Sequence, residues 1–213
     1  MRFDNLTALA GQLPCFDLPL LVQAFPDRRA AIRLQLSRWI AQGKVISLRR
    51  SLYTLADHHR RVPLDPAVLA QDLCRPSYLS GLWALGFHDM IPERVVTYTS
   101  ITTRLPSRFN NAYGGYEYRH IKPEAFFGYV ELAYGNSAIL VARPEKALLD
   151  HWHLSAGEWN DDRIHEMRYQ NWAKVDRSRL REYAAQFQSP RLRRAVERWV
   201  THAEQADDEG MIL

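Results

Sequence analysis

The sequence RRAAIRLQLSRWIAQGKVISLRRSLYTL, residues 28–55, decides how the rest of the chain is read. From Arg28 to Arg50 it carries six arginines, one lysine and no acidic residue. Surface helices ordinarily mix the two signs, because like charges repel and opposite pairs at helical spacing attract. Within this basic run Ile32, Leu36, Trp39 and Ile40 recur at i, i+4, i+7 and i+8. That spacing predicts a helix with one apolar stripe, starting near Arg28 with Asp27 as its cap and ending at Gly43. Val45, Ile46, Leu48, Leu52, Tyr53 and Leu55 then favour strand. Two strands turning near Arg49-Arg50-Ser51 make a basic-tipped hairpin.

Two shorter helices precede this stretch. Leu6, Leu9, Ala10 and Leu13 fall at helical spacing before Pro14. Asp17 is an N-cap for a second helix, LPLLVQAF, with Pro19 in its first turn. Three helices and a hairpin form the outline of a winged helix-turn-helix, with the third helix for recognition and the hairpin as the wing. Arg33, Leu34, Ser37 and Arg38 project away from the apolar stripe, and Arg28 and Arg29 sit at the helix start, where such helices meet base edges. Lys44, Arg49 and Arg50 would hold the DNA backbone from the wing. DNA phosphates then supply the missing anions, and released counterions supply much of the binding energy.

Charge agrees with this division. Residues 1–60 hold nine Arg/Lys against four Asp/Glu, so they carry +5 of a chain total of +4, and the remaining residues sum to −1. A hydrophobic share of 46% with 24% charged residues is a globular balance without a disorder signature. Cys15 and Cys74 form no CxxC and no ladder of spacings, and they are expected as buried thiols of a cytoplasmic protein. The opening MRFDNLTALAG has no basic region followed by an apolar run, so no signal peptide is expected, and no apolar run approaches the roughly 20 residues of a membrane span.

The expected boundary follows residue 60, with DHHRRVPLDP (57–66) as linker. Beyond it PAVLAQDLC reads as a short helix, and Ser80 is a possible cap within SYLSGLWALGFHDMIP. RVVTYTSIT, YEYRHI, FFGYVELAY and AILVA read as strands, and RPEKALLDHWHL as a helix. Residues 158–206 read as two or three more helices, and the tail DDEGMIL as frayed. The fold class is therefore α+β: a winged helix over 1–60, then a mixed domain over 61–213 with a small sheet and C-terminal helices.

The wing pattern LSRWIAQGKVISLRRSLYTL (36–55), PSYLSGLWALGFHDMIPE (76–93), YEYRHIKPEAFFG (116–128) and VARPEKALLD (141–150) occur in that order. Together they resemble the AbiEi family of abortive-infection proteins, antitoxins of type IV toxin–antitoxin systems that are also transcriptional autoregulators. The similarity runs over roughly residues 1–155, and PEKALLD is its most specific motif. Ser51 stands where a glycine usually follows the basic pair, and Asp89 where a glycine usually follows the histidine. The resemblance implies a winged helix that binds inverted repeats in its own promoter. It also implies a C-terminal domain that opposes a nucleotidyltransferase-like toxin, with or without direct contact.

Other constellations read more plainly. Glu145 and Lys146 are neighbours and Asp150 lies five residues beyond Glu145, so capping or a structural ion pair is expected there rather than catalysis. His58-His59 and the pair His151 and His153 lack i,i+4 spacing or a nearby cysteine, so no metal is expected. No GxxxxGK[ST] or GxGxxG occurs, and no cofactor is expected. None of the four lysines completes a [DE]xK, which speaks against a metal-dependent nuclease and against an enzyme. Arg104, Arg108, Arg119 and Lys122, interleaved with aromatics, form a possible second basic surface, although such a stretch is more often a polar loop plus one half-buried strand. Two alternatives stay open: a nuclease delivered by its winged helix, and a protein-binding module that works by contact with a toxin.

Overall fold

The computed structural model describes residues 1–210, with side chains to 206; the tail DDEGMIL reaches beyond the described residues. The fold is α+β. The chain divides into two compact units. The first is Met1–Leu73 with Phe109–Gly115, and the second is Cys74–Arg108 with Tyr116–Leu213.

In the first unit, α1 (Phe3–Ala10) buries Leu6 and Ala10 and closes at Gly11, short of the expected Leu13. Strand β1 (Phe16–Asp17) follows, unforeseen because two residues carry no periodicity. Asp17 caps α2 (Leu18–Ala24) as expected, its carboxylate accepting from the Leu20 amide at 2.9 Å. Helix α3 (Arg29–Ala41) buries Ile32, Leu36 and Trp39 against α1 and α2, whereas Ile40, assigned to the same stripe, is 37% exposed. Arg28, not Asp27, occupies the N-cap position, and the Asp27 carboxylate instead accepts from the Met1 amine. At the other end Gly43 (φ +69°) takes the left-handed conformation. The Gly43 amide donates to the Ile40 carbonyl and the Lys44 amide to the Trp39 carbonyl, a Schellman close that turns the chain into the hairpin.

Strands β2 (Val45–Arg49) and β3 (Leu52–Leu55) pair antiparallel, and β1 joins the free edge of β3 to give the order β1-β3-β2. Their core faces bury Val45, Leu48, Leu52 and Leu55. The stretch 57–66, expected as a linker, is built into this unit. The Arg60 guanidinium donates to Thr54 Oγ1 (2.8 Å), to the Leu55 and Val62 carbonyls and to the Asp57 carboxylate. Helix α4 (Pro66–Leu73) adds buried Ala67, Leu69, Ala70 and Leu73, so the unit runs past the expected boundary at residue 60. The excursion 109–115 contributes Asn111, which donates to the Leu48 carbonyl at 3.1 Å, and Tyr113, whose hydroxyl donates to Asp57.

The second unit is built on a six-stranded sheet with helices. The strands of this sheet are β4 (Ser77–Leu79), β5 (Thr97–Thr102), β6 (Ser107–Asn111), β7 (Gly114–His120), β8 (Tyr129–Tyr134) and β9 (Ser137–Ala142), residues 109–111 of β6 and 114–115 of β7 being counted with the first unit. They lie in the order β6-β7-β5-β4-β9-β8, with β4 parallel to β9. β4 and β6 were not expected as strands: β4 is three residues long, and β6 (SRFNN) is polar. The helices are α5 (Gly81–Phe87), α6 (Pro144–Leu154), α7 (Asp161–Glu166), α8 (Arg177–Gln186) and α9 (Pro190–Gly210). Trp152, Trp159 and Trp199 are fully buried among them.

Helix α6 has six consecutive buried residues, Glu145 to Asp150, three of them ionisable. The charges are answered internally. Lys146 Nζ donates to Asp150 Oδ1, and the Tyr78 and Ser80 hydroxyls donate to Asp150 Oδ2 at 2.9 and 2.8 Å. Ser80 sits at the N-cap position of α5, but its hydroxyl serves Asp150 rather than the helix end. Glu145 Oε1 accepts from the Asp176 amide at 2.8 Å and from Arg179. Lys146 also lies beneath aromatic rings, 4.7 Å from the Phe187 centroid and 5.1 Å from that of Phe127. Burial holds the Lys146 ammonium below the usual lysine range, against the opposing pull of Asp150. Gly128 (φ +74°) passes close by; an added Cβ there would meet Tyr183 at 2.9 Å and the Lys146 side chain at 3.1 Å.

Removing one member of a buried, hydrogen-bonded pair leaves the other charge without solvent, at a cost of about 3–5 kcal/mol. Lys146→Met and Asp150→Ala are each expected to destabilise by that order in urea titrations. The double variant is expected to cost clearly less than the two single variants added together, because neither charge is then stranded. Purely additive costs would show that the pair is not coupled. At the hairpin tip Ser51 holds φ +63°, a conformation costing a residue with a Cβ roughly 1–2 kcal/mol. Ser51→Gly is expected to stabilise the protein by about 1 kcal/mol, read as a raised thermal midpoint.

Candidate functional site

The solvent side of α3 and the β2–β3 turn gather the basic residues singled out from the sequence. Arg28, Arg29, Arg33, Ser37, Arg38 and Arg50 are exposed, and Lys44 and Arg49 are half-buried. The cause is the burial of Ile32, Leu36 and Trp39, which turns positions 33, 34, 37 and 38 outward. Leu34 is accordingly 54% exposed. None of the seven cations forms an ion pair among the described residues.

Three of these side chains have local engagements. Ser37 Oγ donates to the Arg33 carbonyl at 3.1 Å, folding its hydroxyl onto its own helix. Lys44 Nζ lies 5.1 Å from the centre of the Phe3 ring, a cation–π contact at the base of the hairpin. Arg49 Nη1 donates to the Arg50 carbonyl across the turn, while its Nε is buried without a partner.

The second set lies in the second unit. Arg104 and Lys122 are exposed. Arg108 is also exposed and pairs with Glu117 at 2.8 Å. Arg119 is half-buried and donates to the Leu154 carbonyl at the end of α6. Arg108 and Arg119 line one groove of about 570 Å³ together with Glu117, His120 and Leu154. Arg104 adjoins it through its carbonyl, 3.0 Å from His120 Nδ1. The stretch expected as a polar loop with one strand is therefore a hairpin, β6–β7, whose second strand carries the groove.

The structural ion pair expected among Glu145, Lys146 and Asp150 is present between Lys146 and Asp150, but the spacing gave no sign of the buried cluster around it. Glu145, Lys146 and Asp150 share no single helix face as a trio, yet Lys146 and Asp150 are four residues apart and do share one. Its partners Tyr78 and Ser80 lie about 70 residues upstream, and only the parallel pairing of β4 with β9 brings them in. Next to the cluster, His151 packs against Trp159, with ring centroids 5.2 Å apart. Among the described residues no group of three or more His, Cys, Asp or Glu is placed to hold a metal ion. Cys15 and Cys74 form no disulfide, and both are half-buried rather than fully buried. No described helix is long and apolar enough to cross a membrane.

The His151 imidazole is pushed down to about 4, first by burial and then by the Arg163 and Arg119 guanidiniums. A helix C-terminus ordinarily favours a cation, so burial here outweighs the helix dipole. Because the folded value lies below the unfolded one, the unfolded chain binds the extra proton between pH 6.5 and 4. Stability is therefore complete above pH 6.5 and falls as the pH drops toward 4. At about 1.4 kcal/mol per unit the loss is on the order of 3 kcal/mol. His151→Phe is expected to flatten that pH dependence of unfolding, leaving the share contributed by His88 and His153, which burial shifts the same way. An unchanged acid profile would place the proton uptake elsewhere.

The sequence matches no protein-family model and no curated protein.

Proposed function

We propose that the chain is a DNA-binding transcriptional autorepressor and the antitoxin of a type IV, abortive-infection toxin–antitoxin pair. In this reading the first unit is a winged helix-turn-helix: α3 enters the major groove and the β2–β3 hairpin is the wing. The observation that carries the proposal is the face of seven cations without ion-pair partners, on a helix and an adjoining hairpin held together by one core. A solvated face would gain from acidic neighbours, whereas a phosphate-binding face is weakened by them. The sequence resemblance over residues 1–155 supports the same reading. So does the backbone at its two departures, since Ser51 (φ +63°) and Asp89 (φ +56°), which stand where the family carries glycine, both take the left-handed conformation.

The division of labour follows. Arg29, Arg33 and Arg38 face the bases, with Ser37 as a weaker contributor because its hydroxyl is already bonded to the helix. Arg49 and Arg50 hold phosphates. The second unit opposes a nucleotidyltransferase-like toxin, and no step of this scheme requires the chain to be an enzyme, a cofactor or a metal. The DNA is double-stranded and is the chain's own promoter.

Arg33 is the base reader on this scheme, fork-shaped and one turn in from the helix start. A bidentate arginine–guanine contact discriminates by about 1–3 kcal/mol, so Arg33→Ala is expected to weaken operator DNA far more than random DNA. Arg49→Ala and Arg50→Ala are expected to weaken both about equally and to flatten the salt dependence by about 0.9 in slope for each lost phosphate contact. The measurement is affinity for promoter and random duplexes across a salt series. Indifference of both affinities to all three substitutions would reduce these cations to a solvated face.

A further inference from the structure

The groove on β7 does not end at the surface. Beside it lies a smaller recess of about 110 Å³, and the two share Glu117, Arg119 and Leu154 as a common wall. The recess reaches Asp150 and His151, with Thr99, Ile101 and Leu82 completing its lining. At about 30 Å³ per water it has room for three or four waters, or for one flat ring. The outer groove, at about 570 Å³, is in the range of small-molecule sites.

The charges within the pair of cavities do not cancel evenly. Asp150 is answered by Lys146, and Glu117 by Arg108. His151 is neutral at physiological pH. Arg119 spends a donor on the Leu154 carbonyl, but no carboxylate pairs with it among the described residues, and the exposed Arg104 adjoins the groove at its His120 end. The mouth therefore favours an anion. The recess behind it differs: Leu82, Ile101 and Leu154 give it apolar walls, while the Thr99 hydroxyl, the His151 ring and the Glu117 carboxylate offer donors and acceptors. An inorganic anion would answer Arg119 and leave the recess to water. A neutral ring would fill the recess and leave Arg119 unanswered.

We propose that this cleft binds a nucleoside phosphate, its base in the recess beside Asp150 and His151 and its phosphate on Arg119 at the mouth. The moiety is either a free nucleotide or the unpaired end of a nucleic-acid strand, since both present the same base and phosphate. The site lies within the second unit and is independent of the α3 face.

The test is calorimetric titration of the full-length protein with AMP, GMP, CMP and UMP, and with adenosine and inorganic phosphate as half-ligands. The expected result is saturable binding of at least one mononucleotide, at least tenfold tighter than either half. Arg119→Met, which keeps the stem and removes the charge, is expected to weaken it at least tenfold. Leu82→Trp, at a position 37% exposed on the recess rim, is expected to abolish it by filling the recess while the thermal transition is retained. Arg33→Ala is expected to bind the mononucleotide as the unaltered protein does, which separates failure of this site from failure of the DNA-reading face. A 5′-phosphorylated single-stranded hexanucleotide binding more tightly than the mononucleotide, and losing that in Leu82→Trp, assigns the site to a strand end; equal affinities assign it to the free nucleotide. The proposal is overturned if no mononucleotide binds at millimolar concentration, if phosphate alone binds as tightly as the mononucleotide, or if Leu82→Trp leaves binding unchanged.

Discussion

A carboxylate without solvent must find its donors within the protein, and Asp150 finds three. Lys146 comes from the preceding turn of α6, and the Tyr78 and Ser80 hydroxyls come from β4 and the residue after it. This junction sets the position of α6 against the middle of the sheet, because β4 lies between β5 and β9. The order of events in the sequence follows from it. β9 runs parallel to β4 and feeds directly into α6, so the helix returns across strands laid down about 60 residues earlier. Glu145 extends the arrangement to the loop before α8, and Arg191 closes it at the far end by donating to the His153, Ser155 and Gly157 carbonyls. Hydrophobic burial stabilises the second unit, and a shift of its helices would leave these buried polar groups without partners.

The first unit is held differently. Its main core cluster is apolar, with Leu6, Leu18, Leu21 and Ile32 fully excluded from water. The polar groups that matter lie at its chain turns: Asp17 at the start of α2, the Schellman close after α3, and Arg60 bridging the end of β3 to the following loop. None of the arginines of α3 is drawn into this core, and all of them are left to the solvent.

How much of this was legible in the sequence depends on the range of the forces involved. The cap at Asp17, the left-handed Gly43, the buried stripe of α3 and the β2–β3 hairpin all rest on neighbours within a few residues, and all appear where the sequence places them. Ile40 strays from its stripe because it sits at the edge of the buried arc, where the helix is already turning toward water. The strands β1, β4 and β6 escaped because they are short or polar, and strand pairing rather than side-chain pattern makes them strands. The Asp150 cluster was legible only in part: the spacing of Lys146 and Asp150 is local, but Tyr78 and Ser80 reach it through tertiary pairing. The recess beside His151 has no sequence signature at all, since its lining comes from α5, β5, β7 and α6.

The excursion 109–115 gives the chain an interleaved topology. The polypeptide passes from one unit to the other three times, after residues 73, 108 and 115. During synthesis, residues 1–73 leave the ribosome well before the segment that donates Asn111 and Tyr113 to them has been made. The amino-terminal unit therefore cannot reach its final form as it emerges. Its last piece of chain arrives only after β5 of the other unit has been translated.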